Sequence, residues 1–211
     1  MKQYTIISLL TIVSIIVLLV GSVFSQKSDT KVESFHTSLK HETAGDYGKA
    51  IQSLLRAAEE HPDDYLLSLR LGWLQYLGGK YKESKQYYSN AVGRNEKSVE
   101  ALLGRTLPLA ALGEWNAVEA DYRTILRMDP MQYTANLRLG QILLSRGSYL
   151  DAKAYLERAY GQFPGSYEPN LSLGWTCYYL GERKKAGDLF TNALMLSPGD
   201  TLATKGLGLV R

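Results

Sequence analysis

The side chains that could do covalent or metal chemistry are few, and their spacing assembles no site. His41-Glu42 opens like H-E-x-x-H, the zinc motif with two histidines one helical turn apart, but the second histidine would fall at Gly45. Ser28-Asp29-Thr30-Lys31 matches the S-x-x-K pattern, yet it precedes the first helical pattern and has no pocket to activate its serine. His36, His41 and His61 have neither ligand spacing nor cysteine partners, and they read as solvated side chains. Cys177 is the one cysteine. A single thiol excludes a disulfide framework and any multi-cysteine zinc site, so it reads as a small core hydrophobe. Asn170-Leu171-Ser172 is a glycosylation sequon that reads as unoccupied. No Gly-rich phosphate loop follows a strand pattern, so neither an enzyme nor a cofactor or metal site is expected. What remains is binding chemistry, carried by Trp73, Tyr76, Trp175, Tyr178 and Tyr179. Trp and Tyr dominate the energetics of protein interfaces.

The elements that hold these aromatics repeat. Gly45, Gly79, Gly113, Gly147 and Gly181 stand 34 residues apart. A second column of small residues lies seven earlier: Ser38, Gly72, Thr106, Gly140, Gly174 and then Gly208. Further columns on the same period run Leu54, Tyr88, Tyr122, Leu156, Phe190, then Ala57, Ala91, Ile125, Ala159, Ala193, and Pro62, Glu96, Pro130, Pro164, Pro198. A shared period of this length marks a repeat architecture. Within one period, Leu67, Leu71 and Leu74 show helical spacing over Tyr65 to Leu77. Gly78-Gly79 then interrupts it, and Tyr81 to Val92 reads as a second amphipathic helix. Each unit is therefore a helix, a tight turn, a second helix and a loop. Small residues let the paired helices approach, and Tyr88, Tyr122 and Phe190 fill the space left.

These motifs resemble the tetratricopeptide repeat (TPR) family: Leu71-Gly72, Leu139-Gly140 and Leu173-Gly174, the turns Gly79-Lys80-Tyr81, Gly113-Glu114-Trp115 and Gly147-Ser148-Tyr149, and Ala186, Phe190, Ala193 and Pro198. The resemblance covers about residues 31–211. It implies an all-α, right-handed α-solenoid with a concave groove, and a function in binding proteins or peptides. The units fall at 31–64 (degenerate), 65–98, 99–132, 133–166 and 167–200, followed by a capping helix over 201–211. Two departures stand out. The family's opening Trp column is Ser34, Ser68, Leu102, Asn136 and Asn170, and Pro108 falls inside a first helix, where a kink near Gly104–Pro108 is expected.

In such arrays the first helices line the concave face. The groove candidates are Leu69, Trp73 and Tyr76, then Leu137 and Gln141, then Leu171, Trp175, Tyr178 and Tyr179. Family members that clamp a C-terminal carboxylate place Lys, Asn and Arg in these columns. Leu and Trp stand there instead, which disfavours a carboxylate clamp. The expected occupant is a hydrophobic or helical segment of a protein. The alternative is a carbohydrate-binding or exopolysaccharide-handling TPR module, because Trp and Tyr faces also stack on sugar rings.

Composition fits that reading. The chain has 211 residues, 45% of them hydrophobic, with 24 Lys+Arg against 21 Asp+Glu. That excludes wholesale disorder. A net charge of +3 without a basic run gives no nucleic-acid stripe. Residues 1–25 carry Lys2 as their only charge, then an apolar run from Ile6 to Val20, with small residues at Val23 and Ser25. This predicts a signal peptide cleaved after Ser25, a leader over 26–30, and an exported protein, periplasmic or secreted. The alternative is an uncleaved inner-membrane anchor through residues 5–24, which gives membrane attachment. The sequence does not set the oligomeric state or name the partner.

Overall fold

The helical spacing of the leucines becomes helix throughout. A computed structural model describes residues 30–211, and the signal or anchor segment and most of the leader lie outside the described residues. Helix α1 covers residues 30–43. It is followed by α2 (Tyr47–Glu60), α3 (Tyr65–Leu77), α4 (Tyr81–Arg94), α5 (Val99–Ala111), α6 (Trp115–Met128), α7 (Tyr133–Ser145), α8 (Tyr149–Gln162), α9 (Tyr167–Tyr179), α10 (Arg183–Leu196) and α11 (Thr201–Val210). No strand occurs among the described residues. The architecture is all-α, with consecutive helices packed as antiparallel pairs in the manner of a TPR solenoid.

The starts and stops have local causes. Gly79 sits at φ +73° after α3, and Gly45, Gly113, Gly147 and Gly181 repeat that left-handed conformation at +73° to +79°. This is glycine's region, because an L side chain there meets its own backbone. Beyond Gly79, Lys80 donates its N–H back to the Gln75 carbonyl at 2.8 Å, closing the helix end. Helices α3, α5, α7 and α11 begin on side-chain caps, whereas Ser166 before α9 makes none. Asp64 Oδ1 accepts the Leu67 N–H, Ser98 Oγ that of Ala101, Gln132 Oε1 that of Ala135 and Asp200 Oδ1 that of Ala203. Such caps satisfy amides that have no partner within the helix. Helix α5 runs on through Pro108 to Ala111, and Leu112 donates its N–H to the Pro108 carbonyl at 3.0 Å.

The chain packs as two units, described residues 30–95 and residues 96–211. In the first, Ala50, Ile51, Leu54, Leu67, Leu71 and Leu74 form the core, with Phe35, Trp73 and Tyr87 half-buried against it. In the second, Leu139, Leu156, Leu173, Cys177 and Phe190 are fully buried. The close approach of paired helices needs glycine. A Cβ on Gly140 would come within 2.6 Å of Leu156, and one on Gly174 within 2.9 Å of Phe190. Phe190 is held from a second side by Gly206 on α11, where a Cβ would lie 2.4 Å from the ring. Gly208, the residue in register with Gly174, has no neighbour within 4 Å of such a Cβ.

Candidate functional site

The aromatic candidates of the first unit sit on α3. Trp73 is half-buried, and its indole N–H donates to Glu42 Oε1 at 2.7 Å. Arg70 pairs with the other Glu42 oxygen, and its guanidinium lies 5.7 Å from the centre of the Phe35 ring. Tyr76 lies against Trp73 at 6.1 Å between ring centres, and Tyr81, at the start of α4, continues the row at 5.7 Å. Leu69 is half-buried on the same helix. The polar end of Trp73 is thus satisfied internally. A charge-assisted hydrogen bond of this kind is stronger than one between neutral groups.

The second unit carries its candidates on α7 and α9. Leu137 is 1% exposed, so its side chain belongs to the core and offers no surface. Gln141 is half-buried, accepts from Arg138 at 2.9 Å and donates to Ser172 Oγ at 3.1 Å, while Arg138 reaches Glu168 at 2.9 Å. Leu171 is half-buried. Trp175 stands edge-on to the buried Phe190 at 5.2 Å and to Tyr178 at 5.7 Å, with Tyr179 at 6.0 Å. Tyr179 is half exposed and lies parallel to Tyr149 from α8, 4.5 Å between centres. The indole N–H of Trp175 makes no hydrogen bond to any described residue and is not sealed from solvent. The rings touch one another, so they present a surface of faces and edges rather than a cage around a void.

The sequence places Glu42 and Tyr149 on this framework but not the two contacts they make. Glu42 lies three residues short of one repeat before Trp73, so it faces that ring from the neighbouring hairpin. Tyr149 was legible as the aromatic after a turn, but its stacking on Tyr179 needed the fold. The reactive groups stay inert. Cys177 is fully buried, and burial, with the Glu182 charge beside it, pushes its thiol up to about 11. Such a thiol is a poor nucleophile at neutral pH. Among the described residues no His, Cys, Asp and Glu side chains group to hold a metal ion, and no helix is long and apolar enough to cross a membrane.

Helix pairs repeated end to end, with aromatic surface rather than reactive groups, define a repeat-type interaction scaffold. The tetratricopeptide repeat family model matches residues 40–99 and 107–167, and the chain belongs to that family of protein-binding, generally non-enzymatic scaffolds. A TPR protein from Parabacteroides merdae superposes with a TM-score of 0.76 at 22% identity, over 86% of this chain and 72% of that one. YrrB, described as a TPR protein with an unusual peptide-binding site, gives 0.71 at 16% identity, over 88% and 95%. MamA gives 0.72 at 21% identity, over 80% and 92%. Anaphase-promoting complex subunit 6 of Arabidopsis thaliana is 26% identical over 140 residues, 66% of this chain. The chain spans about a quarter of the length of that curated relative.

Proposed function

We propose that the chain is a non-enzymatic scaffold that binds an apolar or aromatic segment of another protein on the α7–α9 face, with Trp175 as the anchor. The observation that carries this is the indole N–H of Trp175, left without a protein acceptor inside a surface of three tyrosines. An aromatic body with an open donor at its tip suits a peptide, which supplies apolar side chains and backbone carbonyls together. The peptide-binding site named for YrrB supports the same use of this fold. We further propose export to the cell envelope, from the apolar segment at residues 5–24, either with cleavage after Ser25 or with retention as an anchor.

The test is crosslinking and pull-down of the tagged chain from its own cells, with Trp175→Ala in parallel. One partner recovered with the natural chain and lost with the variant supports the reading. A change in tryptophan emission with oligosaccharides, with no protein recovered, replaces it with glycan binding. Mass spectrometry of the same material tests export. A chain beginning at Gln26 supports cleavage, and an intact N-terminus in the membrane fraction supports the anchor. An intact, soluble cytoplasmic chain refutes both.

A further inference from the structure

The molecule holds its own example of what closes a tryptophan at this repeat position. On α3 the Trp73 indole N–H donates to a carboxylate, Glu42 Oε1, at 2.7 Å, and the second oxygen of that carboxylate is balanced by Arg70. Trp175 stands in the same register three repeats later. There the positions of Glu42 and Arg70 are Leu144 and Ser172, and among the described residues nothing accepts the indole N–H. A half-buried ring with a donor open at its tip calls for an acceptor from outside the chain.

A cation stands beside this donor. The Phe190 ring packs edge-on against Trp175 at 5.2 Å between centres and also lies against Gly206 of α11. Trp175 and Gly206 thus flank one ring, and Lys205 is the residue before Gly206. In the repeat register Lys205 continues the column of Leu137 and Leu171, and Leu209, one turn on, continues that of Trp175. Lys205 is exposed, and among the described residues it is in no ion pair. The carboxylates of α9 and of the α11 cap are already held. Glu168 meets Arg138 at 2.9 Å, and Asp200 accepts the Tyr167 hydroxyl and the Ala203 N–H, both at 2.7 Å. The face therefore offers aromatic rings and the exposed Leu209, one open N–H and one unanswered positive charge.

We propose that the polypeptide segment seated on the Trp175 surface carries an Asp or Glu side chain among its apolar residues, whose carboxylate accepts the indole N–H and is balanced by Lys205. This rests on the reading of Trp175 as the anchor and names the chemistry of its partner. A backbone carbonyl answers the N–H but leaves the lysine unpaired, whereas a carboxylate answers both. The arrangement repeats that of Trp73, Glu42 and Arg70, with the acid supplied by the partner and the cation by the next helix.

The experiment selects a phage-displayed library of random heptapeptides, which present no free C-terminal carboxylate, on the full chain and in parallel on its Trp175→Ala variant. Peptides captured only by the natural chain should join apolar residues to Asp or Glu. Synthesised as C-terminal amides, they should shift the Trp175 indole N–H resonance on binding. Exchanging their acid for the matching amide, Glu for Gln or Asp for Asn, should cost about tenfold in affinity. In Lys205→Gln, a change at an exposed side chain, that preference for the acid should shrink about threefold. Apolar peptides without an acid, equal affinity for acid and amide, or an undiminished preference in Lys205→Gln overturns the proposal and leaves Trp175 as an apolar anchor. Finding no peptide that shifts the Trp175 indole overturns the proposal together with the reading of Trp175.

Discussion

Trp73 and Trp175 occupy the same place three repeats apart, yet one is closed and the other open. Trp73 has its N–H taken by Glu42, whose second oxygen is held by Arg70. The residue in register with Glu42 is Leu144, and the one in register with Arg70 is Ser172. The second unit repeats the Trp and the Tyr three residues on, adds Tyr179 and Tyr149, and has no acceptor for the indole N–H. The difference teaches that one ring at one repeat position can have its N–H taken or left open, and that a carboxylate in the preceding hairpin is what differs between the two.

The largest effect should fall on the closed site. Trp73→Ala removes a half-buried ring from the first unit's core and leaves the Glu42–Arg70 pair without its cover. A loss of about 2–4 kcal/mol is expected, read as a lowered urea midpoint. Trp175→Ala should instead act on recognition, costing about 2 kcal/mol of partner affinity, roughly thirtyfold, while the urea midpoint moves by less than half as much as for Trp73→Ala. If both variants lower stability alike and leave binding intact, the distinction between the two tryptophans collapses.

A smaller effect tests the cause directly. Leu144→Glu places a carboxylate where Glu42 stands relative to Trp73. It should occupy the Trp175 N–H and reduce partner affinity about tenfold, or about 1.4 kcal/mol, with helicity unchanged. Unaltered affinity with the indole N–H resonance shifted into a hydrogen bond would show that this N–H plays no part in recognition.

The sequence carried the helices because their causes are local and recur: glycine at the left-handed turn position, caps in register, leucines at helical spacing. The aromatic rows were legible by type and period. Their opposite states were not, because the partner that closes Trp73 comes from another hairpin, 31 residues back, and a helical pattern says nothing of what faces it. Leu137 shows the same limit. It shares a column with Leu69 and Leu171, which are half-buried, yet it is sealed in the core.

The smallest effect compares two caps of identical placement. Asp64 caps α3 and Asp200 caps α11, four repeats apart. Burial pushes the Asp64 carboxyl up, but Lys31 and the Leu67 N–H outweigh it and hold it below the ordinary aspartate value. The Asp200 carboxyl is lowered by the Ala203 N–H and by the Tyr167 hydroxyl, which donates to it at 2.7 Å. A carboxyl depressed in the folded state stabilises fully above its unfolded value, near pH 4, and loses that contribution as pH falls through the lower folded value. Amide exchange at Leu67 and Ala203 should therefore quicken only below about pH 4. Salt then separates the two caps. Lys31 is an ionic partner that 1 M salt screens, with a Debye length of about 3 Å, whereas Tyr167 and the backbone amides are neutral. The Asp64 midpoint measured by NMR should rise toward the ordinary aspartate value in 1 M salt while that of Asp200 stays put. Equal movement of both would mean that general charge, not the particular partner of each cap, sets their titration.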